Sequence, residues 1–411
     1  MLDALVARCL TCVTLPAMKK IQILFHDAGG GHRNAALALQ AIATQQRRDW
    51  DMQLIQFQEL TNPLDLLRKL TGIQIQEQYN ILLRNGWTMG ATQILRLLQA
   101  TIRLFHGQLV NLLAQYFRRN PADLLVSVIP HFNREIGEAW SAVYPERPFV
   151  TLITDLADFP PRFWIEPISE QYVICGTEKA VQQAREIGKD ESHILKTSGM
   201  ILRPDFYFEE NVDPVARRKE MGLEENLATG ILLFGGFGSK VMYEIAERLE
   251  TARTPVQLIV VCGRNEQLKQ RFLARKWNFP VCTLGFTNEV HRLMRLADFL
   301  IGKPGPGSIA EAMVRKLPVI LECNSRTLPQ ERYNTEWVKE KQLGIVLNDF
   351  SEIAQGVNQL LEPSTLARLR SHVAALDNRA IFEIPELFAK LLTGETRRET
   401  QSSLEAPYSS V

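Results

Sequence analysis

Residues 299–318 read FLIGKPGPGSIAEAMVRKLP, and this stretch decides the fold class of the chain. The apolar run 299–301 predicts a short buried strand. A loop with glycines at 302, 305 and 307 follows, and Ser308 then stands where we expect the N-cap of a helix over 309–316. A strand that leads through a glycine-rich turn into a helix is typical of parallel α/β sheets.

The glycine-rich turn also predicts a binding site, because the first backbone N–H groups of a helix have no partner inside the helix. These groups and the positive end of the helix dipole attract anions, so the start of this helix is suited to a diphosphate. Glu311 lies one turn further on, where it can reach the hydroxyls of a ribose attached to that diphosphate. The alternative is a turn that needs glycine only for its backbone conformation.

The same alternation of strand, loop and helix runs through the rest of the chain. Apolar runs that predict strands lie at 21–25, 54–57, 123–130, 149–154, 171–175, 229–234, 256–262, 281–284 and 317–321. An extended stretch near residue 205 separates two such series. The sequence therefore predicts two doubly wound α/β domains, 18–205 and 206–392. Residues 1–17 are expected to be an appendage ahead of Met18, and the polar residues 393–411 a disordered tail.

The glycine loop at 27–31 opens the first domain and leads into His32 at the start of the first predicted helix. It lacks the third glycine of a dinucleotide fingerprint and the Gly-Lys-Ser/Thr of a P-loop. Because a helix N-terminus disfavours a positive charge, we expect His32 to be neutral near pH 7 and able to accept a proton. The alternative is an ordinary polar histidine in a loop.

Composition excludes several classes of protein. The chain has 411 residues, is 45% hydrophobic and 23% charged, and carries a net charge of +1, which gives no reason to expect a nucleic-acid partner. Its six cysteines are scattered and predict no disulfide framework. No apolar run approaches the roughly 20 residues that span a bilayer. The expected location is therefore cytoplasmic.

Residues 64–119 are apolar and basic, with seven lysines and arginines against two acidic residues. Helical segments of this kind can lie on an anionic lipid surface, which predicts peripheral association with a membrane. The alternative is a set of core helices whose arginines extend to solvent.

Five motifs occur in a recognisable order: DAGGGHR (27–33), TDL (154–156), VCGRN (261–265), KPGPGSIAE (303–311) and QERYN (330–334). With these motifs the chain resembles, over roughly residues 18–390, the monogalactosyldiacylglycerol synthases and related processive diacylglycerol glycosyltransferases of glycosyltransferase family 28. The resemblance implies the GT-B fold, in which two Rossmann-like domains face each other across a cleft that holds the active site.

The resemblance also implies a donor site in the C-terminal domain. In that site the loop 305–308 holds the UDP diphosphate, Glu311 binds the ribose, and Gln330 with Glu331 binds the sugar. The expected donor-binding residues are Gly235, Gly236, Gly263, Arg264, Asn265, Phe286, Lys303, Gly305, Pro306, Gly307, Ser308, Glu311, Gln330, Glu331 and Asn334.

On the acceptor side the resemblance implies His32 as the general base or as the residue that positions the acceptor. Asp155 is expected to orient His32 or to act as the base in its place, and the alternative for Asp155 is a helix cap. The expected acceptor-side residues are Gly29, Gly30, Gly31 and His131. The segment after Asp155 and the Phe that follows His131 depart from the family pattern, which leaves the acceptor less defined than the donor.

The expected activity is inverting transfer of a hexose from UDP-galactose or UDP-glucose to a lipid hydroxyl, that of diacylglycerol, at a membrane surface. No metal or other cofactor is expected, because a helix N-terminus can stabilise the leaving diphosphate and Asp49-Trp-Asp51 lies in a surface-like connection. The alternatives are a polyprenyl-linked or soluble acceptor, or a non-catalytic protein that binds nucleotide sugars on the same fold.

Overall fold

The computed structural model describes residues 18–26, 30–61, 102–208 and 213–395 and places their strands in two six-stranded parallel sheets. The prediction of two doubly wound α/β sheets is confirmed. The predicted appendage 1–17, the tail beyond residue 395, Gly29 and most of the basic segment 64–119 lie outside the described residues.

The first sheet has the strand order β2-β1-β3-β4-β5-β6. Its strands are β1 Lys19–Phe25, β2 Trp50–Gln56, β3 Leu124–Ser127, β4 Phe149–Leu152, β5 Gln171–Cys175 and β6 Ile194–Lys196. Ile23 of β1 pairs with Leu54 on one side and with Val126 on the other. The strand order therefore reverses at β1, and in open α/β sheets ligands bind at the carboxyl ends of the strands beside such a reversal.

The second sheet has the order β12-β11-β10-β7-β8-β9. Its strands are β7 Ala228–Leu233, β8 Val256–Val261, β9 Val281–Leu284, β10 Phe299–Gly302, β11 Val319–Glu322 and β12 Gly344–Leu347. The order reverses between β7 and β10, so the loop at Gly235 and the loop at Lys303 leave neighbouring strand ends. The stretch that began the sequence argument thus lies at the switch point of its sheet.

Helices cover both faces of each sheet. They are α1 Gly31–Gln45, α2 Phe57–Thr61, α3 His106–Arg119, α4 Asn133–Val143, α5 Glu178–Glu186, α6 Pro214–Glu220, α7 Val241–Thr251, α8 Glu266–Leu273, α9 Val290–Met294, α10 Pro306–Val314, α11 Pro329–Glu340, α12 Ile353–Leu361, α13 Pro363–Ala375 and α14 Ala380–Thr393. Alternation along β1 sends Ile23 into the core beside α1 and Leu24 into the core beside α3 and α4.

The last helix does not pack where its place in the sequence suggests. Ile384 and Phe388 of α14 are fully buried in one cluster with Ile21 and Leu39 of the first domain. The predicted boundary that assigned residues 206–392 to the C-terminal domain is therefore wrong for α14, which returns to the first sheet. The reason is the apolar face of α14, whose packing surface is supplied by a distant part of the chain.

The described end of the basic segment is part of the core. Leu113 and Phe117 of α3 are fully buried and pack with Trp140 of α4. Arg118 and Arg119 at the end of the helix are exposed. For α3, the alternative of a core helix with arginines at the surface is the correct one.

Candidate functional site

The helix that follows the Lys303 loop begins earlier than the sequence suggested. Its N-cap is Gly305 and its first residue is Pro306, so the prediction of Ser308 as N-cap and of a helix from 309 is wrong. Proline favours the first position of a helix because it lacks an N–H and its φ angle is already helical. Gly307 and Ser308 therefore lie in the first turn of α10.

The start of α10 presents two free donors. The N–H of Ile309 bonds to the carbonyl of Gly305 at 3.1 Å, whereas those of Gly307 and Ser308 bond to no described residue. Asn334 fixes the loop from below, because its buried Nδ2 donates to the carbonyl of Pro304 at 2.8 Å. The loop is thus held by Asn334, and its free N–H groups form the kind of anion site found at helix N-termini.

A charged pair flanks this helix start. Lys303 Nζ lies 2.9 Å from Glu331 Oε1, with the lysine partly exposed and the glutamate side chain 11% exposed. The nearby Glu331 charge is the main reason why the pKa of Lys303 is raised. Gln330, which precedes Glu331 in the first turn of α11, is half-buried. Lys303 is therefore a permanent cation beside the free N–H groups.

Glu311 lies further along α10 and bonds to no described side chain. Burial raises its pKa to about 7, and the charge of Arg203 in the linker between the two domains partly opposes this shift. The residue is half-buried. Its role in binding a ribose stays a prediction.

The loop at Gly235 and the loop at Gly263 pack closely against each other through their backbones. Gly235 and Gly263 both have a positive φ, at 72° and 60°, and a Cβ on Gly263 would lie 2.4 Å from the carbonyl oxygen of Gly236. Arg264 donates its backbone N–H to that carbonyl at 2.9 Å and holds its guanidinium 4.9 Å from the ring centre of Phe286, which is 54% exposed. Glycine is required here because the two loops touch.

Asn265 has a local role in the structure. Its Oδ1 accepts a hydrogen bond from the N–H of Leu268 at 3.0 Å, which makes it the N-cap of α8. The side chain therefore orients the helix behind Arg264.

Asp155 faces these loops from the first domain. Its Oδ2 accepts a hydrogen bond from Trp164 Nε1 at 2.9 Å. Burial raises the pKa of Asp155 to about 7, the Trp164 bond opposes the rise, Glu331 adds to it, and Lys303 opposes it. Two charges of the C-terminal domain, those of Lys303 and Glu331, thus influence the pKa of Asp155.

His32, the second residue of α1, is bonded to Thr154 rather than to Asp155. Thr154 Oγ1 lies 3.2 Å from His32 Nδ1. Burial lowers the pKa of His32 to about 3, and His26 lowers it further, while a bond to the Val128 backbone opposes the shift. The expectation of a neutral ring agrees with this, but burial is the main cause. In the described part of the chain no hydrogen bond joins Asp155 to the ring, and the partner of His32 Nδ1 is Thr154.

His32 belongs to a cluster of aromatic rings at the switch point of the first sheet. Consecutive centres are 4.2 to 6.4 Å apart along the path from His131 through Phe163, Trp164, His32 and His26 to Phe132. Together with Phe57, 5.6 Å from His26, these residues are called the ring cluster below. Burial lowers the pKa of His26 and of His131 to about 4, so all three imidazoles are neutral at pH 7.

Three of the acceptor-side residues named from the sequence, Gly30, Gly31 and His131, lie at or next to this cluster. Gly30 has φ 85° and is the N-cap of α1, and Gly31 is the first residue of that helix. His131 follows β3 with φ 72°, and its Nδ1 is buried and bonds to no described residue. The backbone N–H of His131 donates a hydrogen bond to the carbonyl of Phe163 at 2.7 Å, which holds the backbone of His131 in place.

Sequence reasoning missed His26, Thr154 and Trp164 as members of the site. His26 directly precedes the glycine loop and Thr154 directly precedes Asp155, so position at a strand end was an available signal for both. Trp164 reaches the site because buried Asp158 accepts the backbone N–H groups of Phe163 and Trp164 at 2.9 and 2.7 Å. No sequence pattern indicated that the chain after Asp158 turns back and brings Trp164 to Asp155.

The two domains touch beside the site. Leu156 and Ala157, which follow Asp155, share an apolar cluster with Ala310 of α10 and Tyr333 of α11. Phe159 adds a ring contact with Tyr333 at 5.6 Å. The loop that carries Asp155 is therefore packed against the two helices that present the free N–H groups and Glu331.

The described residues show neither a metal-binding cluster nor a membrane-spanning helix. They contain no group of three or more His, Cys, Asp or Glu side chains placed to hold a metal ion. None of their helices has the length and apolar character needed to cross a membrane.

Comparisons with known proteins agree with the motifs. Residues 231–378 match the model of the glycosyltransferase family 28 C-terminal domain. A probable monogalactosyldiacylglycerol synthase 2, chloroplastic, of Oryza sativa subsp. japonica is 29% identical over 402 residues, which cover 91% of this chain and 81% of the rice protein. The monogalactosyldiacylglycerol synthase of Spinacia oleracea is 30% identical over 363 residues, covering 84% of this chain and 66% of the spinach protein.

Solved structures share the fold at lower identity. Acinetobacter baumannii MurG is 13% identical with a TM-score of 0.58, and the match covers 90% of this chain and 99% of MurG. Anabaena HepE in complex with UDP-glucose is 18% identical with a TM-score of 0.51, over 91% of this chain and 99% of HepE. At these identities the likeness concerns the fold alone, and that fold is GT-B.

Proposed function

Because the chain is a glycosyltransferase of the GT-B fold that carries the family 28 C-terminal domain, we propose that it transfers a hexose from UDP-galactose or UDP-glucose to the hydroxyl of diacylglycerol. The observation that carries this proposal is that the loop of Asp155 packs against α10 and α11, where Leu156 and Ala157 share an apolar cluster with Ala310 and Tyr333. The charges of Glu331 and Lys303, which flank the start of α10, both act on the Asp155 carboxyl group.

The donor half of the proposal rests on the C-terminal domain. The free N–H groups of Gly307 and Ser308, together with the Lys303 cation, suit the negative diphosphate. In this arrangement Glu311 binds the ribose, Phe286 offers an exposed ring to the nucleobase, and Gln330 with Glu331 binds the hexose. The complex of HepE with UDP-glucose supports a UDP-sugar as the donor class.

We assign the base to Asp155 and the positioning of the acceptor to His32. A general base is most effective when its pKa lies near the working pH. The pKa of Asp155 is about 7, whereas that of His32 is about 3. In the protein without substrate the His32 imidazole is therefore the weaker base. Asp155 Oδ1 bonds to no described residue, while Oδ2 is held by Trp164.

The reaction then proceeds in one displacement. The acceptor oxygen forms a bond to the anomeric carbon of the hexose while its proton passes to Asp155 Oδ1. The bond between the anomeric carbon and the β-phosphate oxygen breaks, and the electron pair leaves with UDP. Because the acceptor oxygen attacks the face opposite the leaving group, the configuration at the anomeric carbon inverts. In this scheme the N–H groups of Gly307 and Ser308 stabilise the charge on the leaving diphosphate.

The ring cluster favours an uncharged acceptor over a polyprenyl-diphosphate-linked one. Its three imidazoles are neutral at pH 7, and its other four members are apolar or indole rings. A diphosphate acceptor needs cationic partners, whereas a glycerol hydroxyl with ester oxygens needs a few hydrogen bonds in apolar surroundings. The names of the rice and spinach relatives support the same lipid class.

Action at a membrane surface is the remaining part of the proposal. It rests on the basic, apolar composition of residues 64–101, which lie outside the described residues. The described helix α3 joins this segment to the core next to the ring cluster. A lipid held at the surface by the segment would therefore enter on the acceptor side.

The test is transfer of labelled hexose to lipid. The full chain is incubated with vesicles that contain diacylglycerol, in neutral or anionic phospholipid, and with labelled UDP-galactose or UDP-glucose. We expect a labelled monohexosyl-diacylglycerol, identified by mass, from one of the two donors and faster on anionic vesicles. Label in neither lipid product, with UDP still bound, would contradict the proposal and favour a nucleotide-sugar-binding protein or another acceptor.

A further inference from the structure

We propose that His26 is an acceptor-binding residue, and that it donates a hydrogen bond from Nε2 to an oxygen of the acceptor next to the reacting hydroxyl. This inference rests on the proposed function and names a residue of the acceptor site that the sequence motifs do not include. His26 directly follows β1, immediately before the glycine loop, and contacts three other members of the ring cluster.

We infer the position of the His26 proton from its contact with Gln58. Gln58 Nε2 lies 2.5 Å from His26 Nδ1. With the amide in this orientation its NH₂ donates, so Nδ1 is assigned as the accepting nitrogen. Burial lowers the pKa of His26 to about 4, so the ring is neutral at pH 7 and its single N–H is on Nε2. His26 is therefore a hydrogen-bond donor at this position and not a base.

The Nε2–H group of His26 is not used within the described part of the protein. Nε2 bonds to no residue that the structure describes, and the ring keeps part of its surface exposed. Its neighbours are His32 at 6.4 Å, Phe57 at 5.6 Å and Phe132 at 5.9 Å between ring centres. A neutral donor beside apolar rings selects an uncharged oxygen, such as an ester carbonyl or a hydroxyl, and gives little to a phosphate.

Three residues thus divide the handling of the acceptor. Asp155 takes the proton of the reacting hydroxyl, and His32 positions that hydroxyl. His26, whose ring centre lies 6.4 Å from that of His32, holds the next oxygen of the acceptor. This division predicts that loss of His26 weakens the use of the acceptor and leaves the donor site unchanged.

The kinetic test compares three variants with the wild-type full chain. His26→Phe keeps an aromatic ring between Phe57 and Phe132 and removes the donor, whereas His26→Gln restores an N–H at similar reach. We expect His26→Phe to lower kcat/KM for diacylglycerol about tenfold with an unchanged KM for the UDP-sugar. His26→Gln should stay within about threefold of wild type. His372→Phe, on α13 of the other domain, is the matched control and should match wild type.

The tautomer is measured directly by imidazole ¹H–¹⁵N NMR of the histidine-labelled protein, with His26→Phe used to assign the signal. The expected result is the Nε2–H tautomer with an accepting Nδ1. An Nδ1–H tautomer, or equal losses for donor and acceptor in His26→Phe, would overturn the inference. If wild type transfers nothing to diacylglycerol, the proposed function fails, yet the tautomer still decides whether His26 presents this donor.

Discussion

Replacing Trp164 by Phe removes the hydrogen bond that lowers the pKa of Asp155. The bond favours the ionised carboxylate, which is the form that can act as a base. The indole N–H donates to Asp155 Oδ2 at 2.9 Å, and this bond opposes the rise of the pKa caused by burial. A hydrogen bond to a charged group contributes about 1.5–3 kcal/mol, and about 1.4 kcal/mol corresponds to one pH unit. Trp164→Phe should therefore move the pKa of Asp155 upward by about one to two pH units.

The assay is the pH dependence of kcat/KM, which reports the groups of the free enzyme. A base whose pKa is about 7 is protonated below that pH, so wild-type activity should rise with pH through about 7. The acid limb of Trp164→Phe should lie at higher pH. Trp140→Phe is the matched control, because Trp140 is also fully buried and donates its indole N–H to a carbonyl, that of Arg147 at 3.0 Å.

The control should lose stability without moving the acid limb. If the profiles of Trp164→Phe and Trp140→Phe coincide, Asp155 is not the group whose ionisation limits the reaction, and the assignment of the base is refuted.

Three other substitutions test the donor site, the cleft and the fold. Ser308→Pro removes a free N–H in the first turn of α10, where proline is tolerated, so the Kd for UDP measured by calorimetry should rise about 10- to 100-fold. The control Ser308→Ala keeps the N–H and should change the Kd little. Equal affinities of the two variants would rule out this anion site. Glu331→Gln removes a charge that raises the pKa of Asp155, so the acid limb of kcat/KM should move to lower pH, opposite to the shift in Trp164→Phe. A shift of the acid limb to higher pH would contradict the influence of Glu331 on Asp155. Phe388→Ala should lower the free energy of unfolding in urea by about 3–5 kcal/mol, against about 0.5 kcal/mol or less for exposed Lys390→Ala; a loss below about 1 kcal/mol would contradict the packing of α14 on the first sheet.

The sequence predicted the sheets and the glycine loops because these depend on local patterns. Apolar runs bounded by glycine gave the strands, and the order of the motifs gave the two domains. Even the true start of α10 had a local signal, since Pro306 after Gly305 has the form of a proline at the first helical position. Serine is the commoner N-cap, and that preference led to the wrong residue.

What the sequence did not predict depends on contacts between distant residues. The apolar face of α14 fits a helix of either domain, and the choice of the first sheet needs the three-dimensional position of Ile21 and Leu39. The bond from Trp164 to Asp155 depends on the turn that Asp158 organises. Likewise, the pKa of His32 is set mainly by burial among rings that no motif connects.

The central claim is that Asp155 removes the acceptor proton opposite a UDP-sugar bound at the start of α10. The most direct measurement combines the turnover of Asp155→Asn, which keeps an acceptor oxygen for Trp164 but is a far weaker base, with the Kd of that variant for UDP. We expect kcat to fall about 10²- to 10⁴-fold while the Kd for UDP stays within about twofold of wild type. Turnover near that of wild type would contradict the claim.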